Sequence, residues 1–413
     1  MKPLSKDLTY FLSGSVFLGF SSAYSLLVPV IIVPYIIQTV GLSNYGLSVI
    51  AFSATFFLSL IIDYGYNITG VNSLAKSTSV REKGDIIIRI IYTKAILCLL
   101  LFILFAVSLI IIPYLKEYWI LFSLSMLIPI SSIFSFNWAI QGLEMIRSLS
   151  GISIINKTIY LLGIFLFVQD KDDYIFINFI FGLGSIISGI YALFLIKRKV
   201  PVSIIRFTFS DFLIEIKNSV HYFISNISIY ISTSLYPVIL GTFVSTEIVG
   251  VFAVVEKIYN VIRAPFSIYI NLMLPRISSI VEESYYKAIK TIKKTYVFVI
   301  AFIIISLVVT YVFEKEIINY FIQDYYDLST QLLHIGYIGI IIVLFNCPVY
   351  LILLALNMKR AIMKTFIFVP IIGIIMCFLL SKFYGATGAF LTIVLVEFCY
   401  VLSLLYLYKR RAR

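Results

Sequence analysis

Apolar runs of about twenty residues or more recur along the whole chain, separated by short polar segments. A helix of about twenty apolar residues is long enough to cross the hydrocarbon core of a bilayer. Only 13% of the 413 residues are charged, whereas soluble domains contain about 25%. We therefore predict an all-α polytopic membrane protein with about twelve transmembrane helices. The predicted spans are residues 10–38, 44–69, 90–112, 118–141, 149–168, 174–196, 219–243, 247–274, 295–313, 328–356, 361–380 and 385–408.

Lysine and arginine are distributed unevenly between the two sets of connections. Most of the 32 basic residues lie in the termini and in every second connection, an assignment that counts Lys94 with the connection after the second span. The opposite connections contain only Lys116, Lys171, Lys315 and Lys382. The positive-inside rule therefore predicts that both termini are cytoplasmic. This topology, together with contact with anionic membrane lipids, accounts for the net charge of +12. The charge is therefore not evidence for nucleic-acid binding.

The connection 201–218 follows six predicted spans and precedes six more. A weak repeat supports a division there, because the turn at residues 40–46 resembles the turn at residues 244–250. We predict an N-terminal six-helix bundle over residues 1–200, a cytoplasmic linker over 201–218 and a C-terminal six-helix bundle over 219–413. The connection 275–294 is predicted to form an amphipathic helix on the membrane surface.

The eighth predicted span carries three charged residues far from both of its ends, Glu256, Lys257 and Arg263. Ionisable groups at this depth are costly unless they face a partner or a watery cavity. Glu256, Asn260 and Arg263 fall on one helical face, which favours a cavity wall. The alternative is that Glu256 and Arg263 neutralise each other through Asn260. Lys257 lies about 100° around the helix and is harder to assign to the cavity.

Three other predicted spans contain one deep charge each, and each has two interpretations. Asp63 either pairs with a cytoplasmic base such as Lys76 or carries protons. Lys157 either lines a cavity or extends its ammonium group to the membrane surface. Glu397 either pairs with another span or takes part in ion coupling.

Neutral polar side chains inside the spans are candidates for the lining of a hydrated passage. The candidates are Tyr24, Gln38, Asn137, Asn226, Ser232 and Asn260. Trp138, next to Asn137, is interpreted as an anchor at the membrane interface. The sequence has no P-loop, no GxSxG and no HExxH motif, and it contains only two histidines. These absences predict a protein that is not an enzyme, uses no ATP and holds no cofactor or metal.

Six short motifs follow one another along the chain. They are VGLSNYG (40–46), DYG (63–65), WAIQGLEMI (138–146), STEIVGVFAVVEKI (245–258), LMLPRIS (272–278) and YGATGAFLTIVLVEF (384–398). Together they resemble the polysaccharide-transporter branch of the MOP exporter superfamily, and more narrowly the Wzx-type O-antigen flippases. The lipid II flippases and the MATE drug exporters are relatives of this branch.

The resemblance implies two six-helix bundles that form a V around a central cavity, as in MATE exporters. It also implies transfer of an undecaprenyl-pyrophosphate-linked oligosaccharide across the bacterial inner membrane by alternating access, through a cationic cavity suited to pyrophosphate. Our candidates for the pyrophosphate site are Arg263, Lys257 and Lys157. Our candidates for coupling to H⁺ or Na⁺, or for charge partners, are Glu256, Asp63 and Glu397. Membrane lipids, a polysaccharide polymerase and a chain-length regulator are the expected partners.

Three other functions compete with this interpretation. A small-molecule or cation antiporter of the MATE kind shares the fold and differs in its substrate. A membrane-embedded polymerase or sugar transferase would require a sizeable outer loop or clustered acid and base residues, which the sequence lacks. A purely structural scaffold for a polysaccharide assembly complex would not explain the charges deep in the eighth span.

Overall fold

The computed structural model describes the backbone of residues 6–412 and the side chains of most residues from Ser21 onward. The side chains outside this description are those of residues 6–20, 146–147, 225–226, 228–233, 359–360 and 411–412. The predicted lining residues Asn226 and Ser232 are therefore placed only through their helical backbone.

Over the described residues the chain forms α-helices, two short 3₁₀ segments and no strand. The helices are α1 (Lys6–Val40), α2 (Leu42–Asp63), α3 (Tyr66–Lys76), α4 (Val80–Ile111), α5 (Pro113–Glu117), α6 (Trp119–Ser125), α7 (Leu127–Ser131), α8 (Asn137–Gly142), α9 (Ile146–Phe167), α10 (Phe176–Lys197), α11 (Phe209–Gly241), α12 (Thr246–Glu283), α13 (Tyr285–Val312), α14 (Glu314–Phe321), α15 (Tyr326–Ala355) and α16 (Lys359–Ala412). The 3₁₀ segments are Ser132–Phe134 and Lys171–Ile175.

Within the described part of the chain, 9 helical stretches are long and apolar enough to cross a membrane. One of them, in α16, is two helices joined at Gly385, where φ is 55° and ψ is −134°. Helices α11 and α12 lie outside this set but are 33 and 38 residues long. With these included, the chain has about twelve membrane-length segments, as a polytopic protein of this size predicts. The predicted all-α polytopic class is confirmed.

The described residues form two compact units. The first contains the chain up to Asn44 together with Ser48–Tyr230, and the second contains Tyr45–Leu47 together with the residues from Ile231 onward. The predicted linker 201–218 is only partly non-helical, because α11 begins at Phe209. The V arrangement of two bundles stays a prediction.

The second predicted span, 44–69, is wrong as one continuous helix. It is broken between α2 and α3 by Tyr64 and Gly65, both with positive φ (41° and 78°). A Cβ atom at Gly65 would lie 2.8 Å from the backbone nitrogen of Phe223, so the break requires glycine for both its dihedral angles and its packing. The ring of Tyr64 stacks on Phe223 with centroids 4.4 Å apart.

The fourth predicted span is also broken, into α6, α7, the 3₁₀ segment Ser132–Phe134 and α8. Trp138, in α8, is 1% exposed and packs in an apolar core with Tyr66 and Leu74 of α3. The interpretation of Trp138 as an interfacial anchor is therefore wrong. Its ring packs directly against Gly70, where the absence of a side chain leaves room for the indole.

Gly70→Ala is expected to destabilise the protein because the added Cβ would lie 2.4 Å from Cε3 of Trp138. Such overpacking typically costs about 1–3 kcal/mol, which a lowered midpoint of thermal unfolding in detergent would report. Gly151→Ala is the matched control, since a Cβ at that helical position meets nothing within 4 Å. Equal midpoints for the two variants would contradict the packing of Trp138 against α3.

Two other sequence predictions are corrected. Helix α4 begins at Val80, ten residues before the predicted span 90–112, so Lys94 lies inside a helix and not in a connection. Residues 275–294 do not form one surface helix, because α12 runs on to Glu283 and α13 starts at Tyr285 after an extended Ser284. Ser284 caps α13 by accepting a hydrogen bond from the backbone N–H of Lys287.

Candidate functional site

A polar chamber of about 460 Å³ lies within the first unit. Its apolar wall includes the rings of Phe56, Phe134, Phe136 and Phe181. Its polar wall consists of Ser21, Ser59, Asp63, Ser131, Ser132, Ser135, Asn137, Ser153, Asn156, Lys157, Ser185 and Ser188. Hydroxyl and amide groups beside aromatic rings can bind a ligand that is rich in hydroxyls, because they offer donors, acceptors and flat apolar faces.

Asn156 and Lys157 of α9 are neighbours in the wall of this chamber. The Asn156 side-chain nitrogen donates to the hydroxyls of Ser185 (3.0 Å) and Ser188 (3.3 Å) of α10. Its Oδ1 is buried and accepts no hydrogen bond from a described residue. The Lys157 ammonium nitrogen lies 5.2 Å from the centroid of the Phe181 ring, so this lysine lines the chamber.

Asp63 reaches the edge of the chamber as one partner of a buried ion pair. Nζ of Lys94 donates to Oδ1 of Asp63 at 2.6 Å and to the backbone oxygens of Ser132 and Ser135 at 3.0 and 3.5 Å. The side chain of Lys94 is 1% exposed and that of Asp63 is 19% exposed. The ammonium group thus connects the break in the second span to the break in the fourth. The partner of Asp63 is Lys94 and not the predicted Lys76.

A second charged cluster lies within the second unit. Arg263 of α12 forms an ion pair with Glu397 of α16, whose side chain is 6% exposed. The side-chain nitrogen of Asn346, on α15, donates to Oε2 of Glu397 at 3.1 Å and to its backbone oxygen at 3.2 Å. Oδ1 of Asn346 is buried without a described partner. Three helices therefore meet at one carboxylate.

The alternative interpretation, in which Asn260 bridges Glu256 and Arg263, is not supported by the described residues. Arg263 pairs with Glu397, and the side chain of Asn260 is exposed. Glu256 is half-buried and forms no ion pair with a described residue. Lys257 lies over the ring of Tyr45, 5.6 Å from its centroid, and Tyr45 belongs to the second unit.

The remaining sequence candidates are scattered. The hydroxyl of Tyr24 lies 2.9 Å from that of Thr158, joining α1 to α9, and Gln38 is exposed. Asn137 is exposed and borders the chamber. Of the three predicted basic ligands, Lys157 lies in the first unit, whereas Lys257 and Arg263 lie in the second. No cluster of three or more His, Cys, Asp or Glu side chains suited to a metal is found among the described residues.

Most of the chamber serines were not predicted from the sequence, and neither were Lys94, Asn156 and Asn346. The position of Lys94 could have indicated a buried charge, because it lies within the predicted span 90–112. It was instead counted with the connection before that span. Asn156 precedes Lys157, and Asn346 lies two residues before Pro348, but one polar residue in an apolar run does not reveal its partner.

A family model described as "Polysaccharide biosynthesis protein" matches residues 11–281, more than half of the chain. The chain belongs to this polysaccharide biosynthesis family. One relative, the "Putative O-antigen transporter" of Escherichia coli (strain K12), is 24% identical over 96% of this chain and 95% of its own length. A protein of the same name from Shigella dysenteriae is 22% identical over 92% of this chain and 95% of its own length.

Solved structures place this family member in a known fold class. The lipid II flippase MurJ, in an inward closed conformation, matches with a TM-score of 0.73 at 18% identity, over 96% of this chain and 87% of that chain. A multidrug resistance MATE family transporter of the MOP superfamily, in an inward-facing conformation, gives 0.69 at 13% identity, over 94% of both chains. At these identities the likeness establishes the fold, which is the predicted MOP/MATE-like fold. The predicted resemblance to Wzx-type flippases agrees with the family and its relatives.

Proposed function

We propose that this protein is a flippase that moves undecaprenyl-pyrophosphate-linked O-antigen oligosaccharide units from the cytoplasmic to the periplasmic leaflet of the bacterial inner membrane by alternating access. The observation that carries the proposal is the chamber of the first unit, which contains eight serines, two asparagines and Lys157. The family and the names of the relatives support a lipid-linked glycan as the substrate. Hydroxyls of the sugar would replace water at the serine and asparagine side chains.

The pyrophosphate group requires positive charge along its path. Lys157 supplies one cation at the chamber, and Lys257 and Arg263 supply two in the second unit. Arg263 is already neutralised by Glu397, so a phosphate that binds its guanidinium competes with that carboxylate for the positive charge. We therefore propose that Arg263 exchanges Glu397 for phosphate during transport.

The same exchange suggests how an ion could be coupled to transport. A carboxylate released from Arg263 in a site that is 6% exposed would need a new counter-charge, which H⁺ or Na⁺ could supply. Glu397 is thus our first candidate for coupling. Asp63 is held by Lys94, which makes it a weaker candidate, and Glu256 remains a second candidate.

In a strain deleted for this gene, lipid-linked sugar units are expected to accumulate on the cytoplasmic leaflet, and the wild-type gene is expected to restore surface polysaccharide. Lys157→Gln is expected to lower surface display severalfold at normal protein level, because one phosphate-compensating charge is removed. Lys157→Arg keeps the charge and should retain more display.

Lys382→Gln is the matched control, since Lys382 is exposed and lies outside the chamber. Normal display with Lys157→Gln would remove this lysine from the mechanism. A deletion strain that displays normal polysaccharide and instead gains drug sensitivity would overturn the flippase proposal in favour of a MATE-like antiporter. A polymerase and a chain-length regulator remain proposed partners.

A further inference from the structure

The two halves of α16 form a hairpin with a groove between them. Residues 359–384 and 386–412 meet at Gly385, and the aromatic rings of Phe366 and Tyr400 contact each other with centroids 4.8 Å apart. A groove of about 740 Å³ lies along the two helices beside this contact. Its lining residues are Ala361, Lys364, Thr365, Phe368, Val369, Ile372, Leu402, Ser403, Tyr406, Leu407 and Arg410. The spacings of three and four residues place each set on one helical face.

The groove is charged at one end and apolar at the other. Lys364 and Arg410 lie 21 and 25 residues from Gly385, which places both at the open end of the hairpin, about 30–40 Å along their helices. Ile372 and Leu402 lie nearer the middle of the hairpin. An amphipathic ligand with its anionic group at the open end matches this arrangement.

The charge on the two stretches of α16 that line the groove is entirely positive. Neither residues 359–372 nor residues 402–413 contain Asp or Glu, and the same stretches add Lys359, Arg360, Lys409, Arg411 and Arg413 to the sequence. Lys364 and Arg410 are both exposed, and neither forms an ion pair with a described residue. Basic pockets between transmembrane helices at the membrane surface are suited to the phosphates of anionic lipids.

The walls favour a lipid over a soluble anion. Phe368 and Tyr406 are 64% and 65% exposed, and Ile372 and Leu402 are exposed as well, so the groove opens sideways along a membrane-length helix pair. Acyl chains can fill such a surface, whereas an inorganic phosphate would contact only its charged end. A zwitterionic headgroup would bring a second cation towards Lys364 and Arg410.

We propose that this groove binds an anionic phospholipid, with its phosphate at Lys364 and Arg410 and its acyl chains along Phe368, Ile372 and Leu402. The site lies in the second unit and is additional to the sugar chamber of the first unit. Its existence does not depend on the transported substrate.

The test uses the full-length protein in detergent, titrated with phosphatidylglycerol or phosphatidylcholine and measured by thermal unfolding and by native mass spectrometry. We expect phosphatidylglycerol to be retained and to raise the unfolding midpoint, and phosphatidylcholine to do neither. The double variant Lys364→Gln/Arg410→Gln is expected to bind phosphatidylglycerol at least tenfold more weakly. Lys315→Gln/Lys382→Gln is the matched control, because it removes two exposed lysines of the second unit that do not line the groove.

A second measurement locates the lipid. Phe368→Trp places an indole in the groove, and a small fraction of phosphatidylglycerol with brominated chains, in a phosphatidylcholine background, should quench its fluorescence more than the same fraction of brominated phosphatidylcholine. Equal quenching, or equal lipid retention by the wild type and the Lys364→Gln/Arg410→Gln variant, would overturn the proposal. Retention of a polyprenyl phosphate but not of phosphatidylglycerol would also overturn it and would assign the groove to the tail of a lipid-linked substrate.

Discussion

Lys94→Met is expected to destabilise the protein by about 3–5 kcal/mol, the usual cost of removing one partner of a buried ion pair. The substitution leaves the Asp63 carboxylate without its cation and takes a donor from the backbone oxygens of Ser132 and Ser135. Methionine has a similar length, so lost packing contributes little. The unfolding midpoint in detergent should fall by about 5 °C, with a matching fall in the amount of protein in the membrane.

Two further variants make this expectation specific. Lys76→Met removes the base that the sequence suggested for Asp63, and it should leave the midpoint unchanged because Lys76 is exposed. Asp63→Asn combined with Lys94→Met removes the uncompensated charge and should recover part of the lost stability, giving a coupling energy between the two sites. A Lys94→Met protein as stable as the wild type, or a double variant whose losses simply add, would show that Lys94 does not hold the two broken helices together.

The helical class and the number of spans could be predicted because each span is a local property of about twenty residues. The breaks inside spans could not be predicted in the same way. The run LIIDYGYN is apolar enough to continue a helix, and what stabilises its break is a contact of Gly65 with Phe223 and an ion pair from Asp63 to a lysine 31 residues away. Both partners are distant in the sequence.

The partners in the charge pairs could not be predicted from the sequence either. Helical periodicity correctly places Glu256 and Arg263 on one face, but residues seven positions apart are separated by about 10 Å along the axis. A neighbouring helix can bring its carboxylate into direct contact, and Glu397 of α16 does so. The sequence therefore identified Arg263 and Glu397 as unusual residues without identifying them as partners. Lys94 was assigned to a cytoplasmic connection because most basic residues lie there, whereas the structure buries its side chain inside a helix.

Arg263→Gln combined with Glu397→Gln is expected to abolish export of the lipid-linked glycan while the protein still accumulates. Removing both charges leaves no buried ion unpaired, and glutamine can still hydrogen-bond with the Asn346 side chain, so the packing of α12, α15 and α16 should survive. If Arg263 binds phosphate, the double variant lacks that cation, and surface display should fall at least tenfold. Surface polysaccharide and protein level, measured in the deletion strain, check this result.

The single variants separate the structural role from the transport role. Arg263→Gln alone leaves Glu397 buried and unpaired, so both protein level and display should fall. Glu397→Gln alone keeps the guanidinium free for phosphate, and if Glu397 couples an ion, the remaining display should no longer respond when the H⁺ or Na⁺ gradient is collapsed. Normal display from the double variant would instead assign the pair to packing alone, and the phosphate site would then have to be built from Lys157 and Lys257.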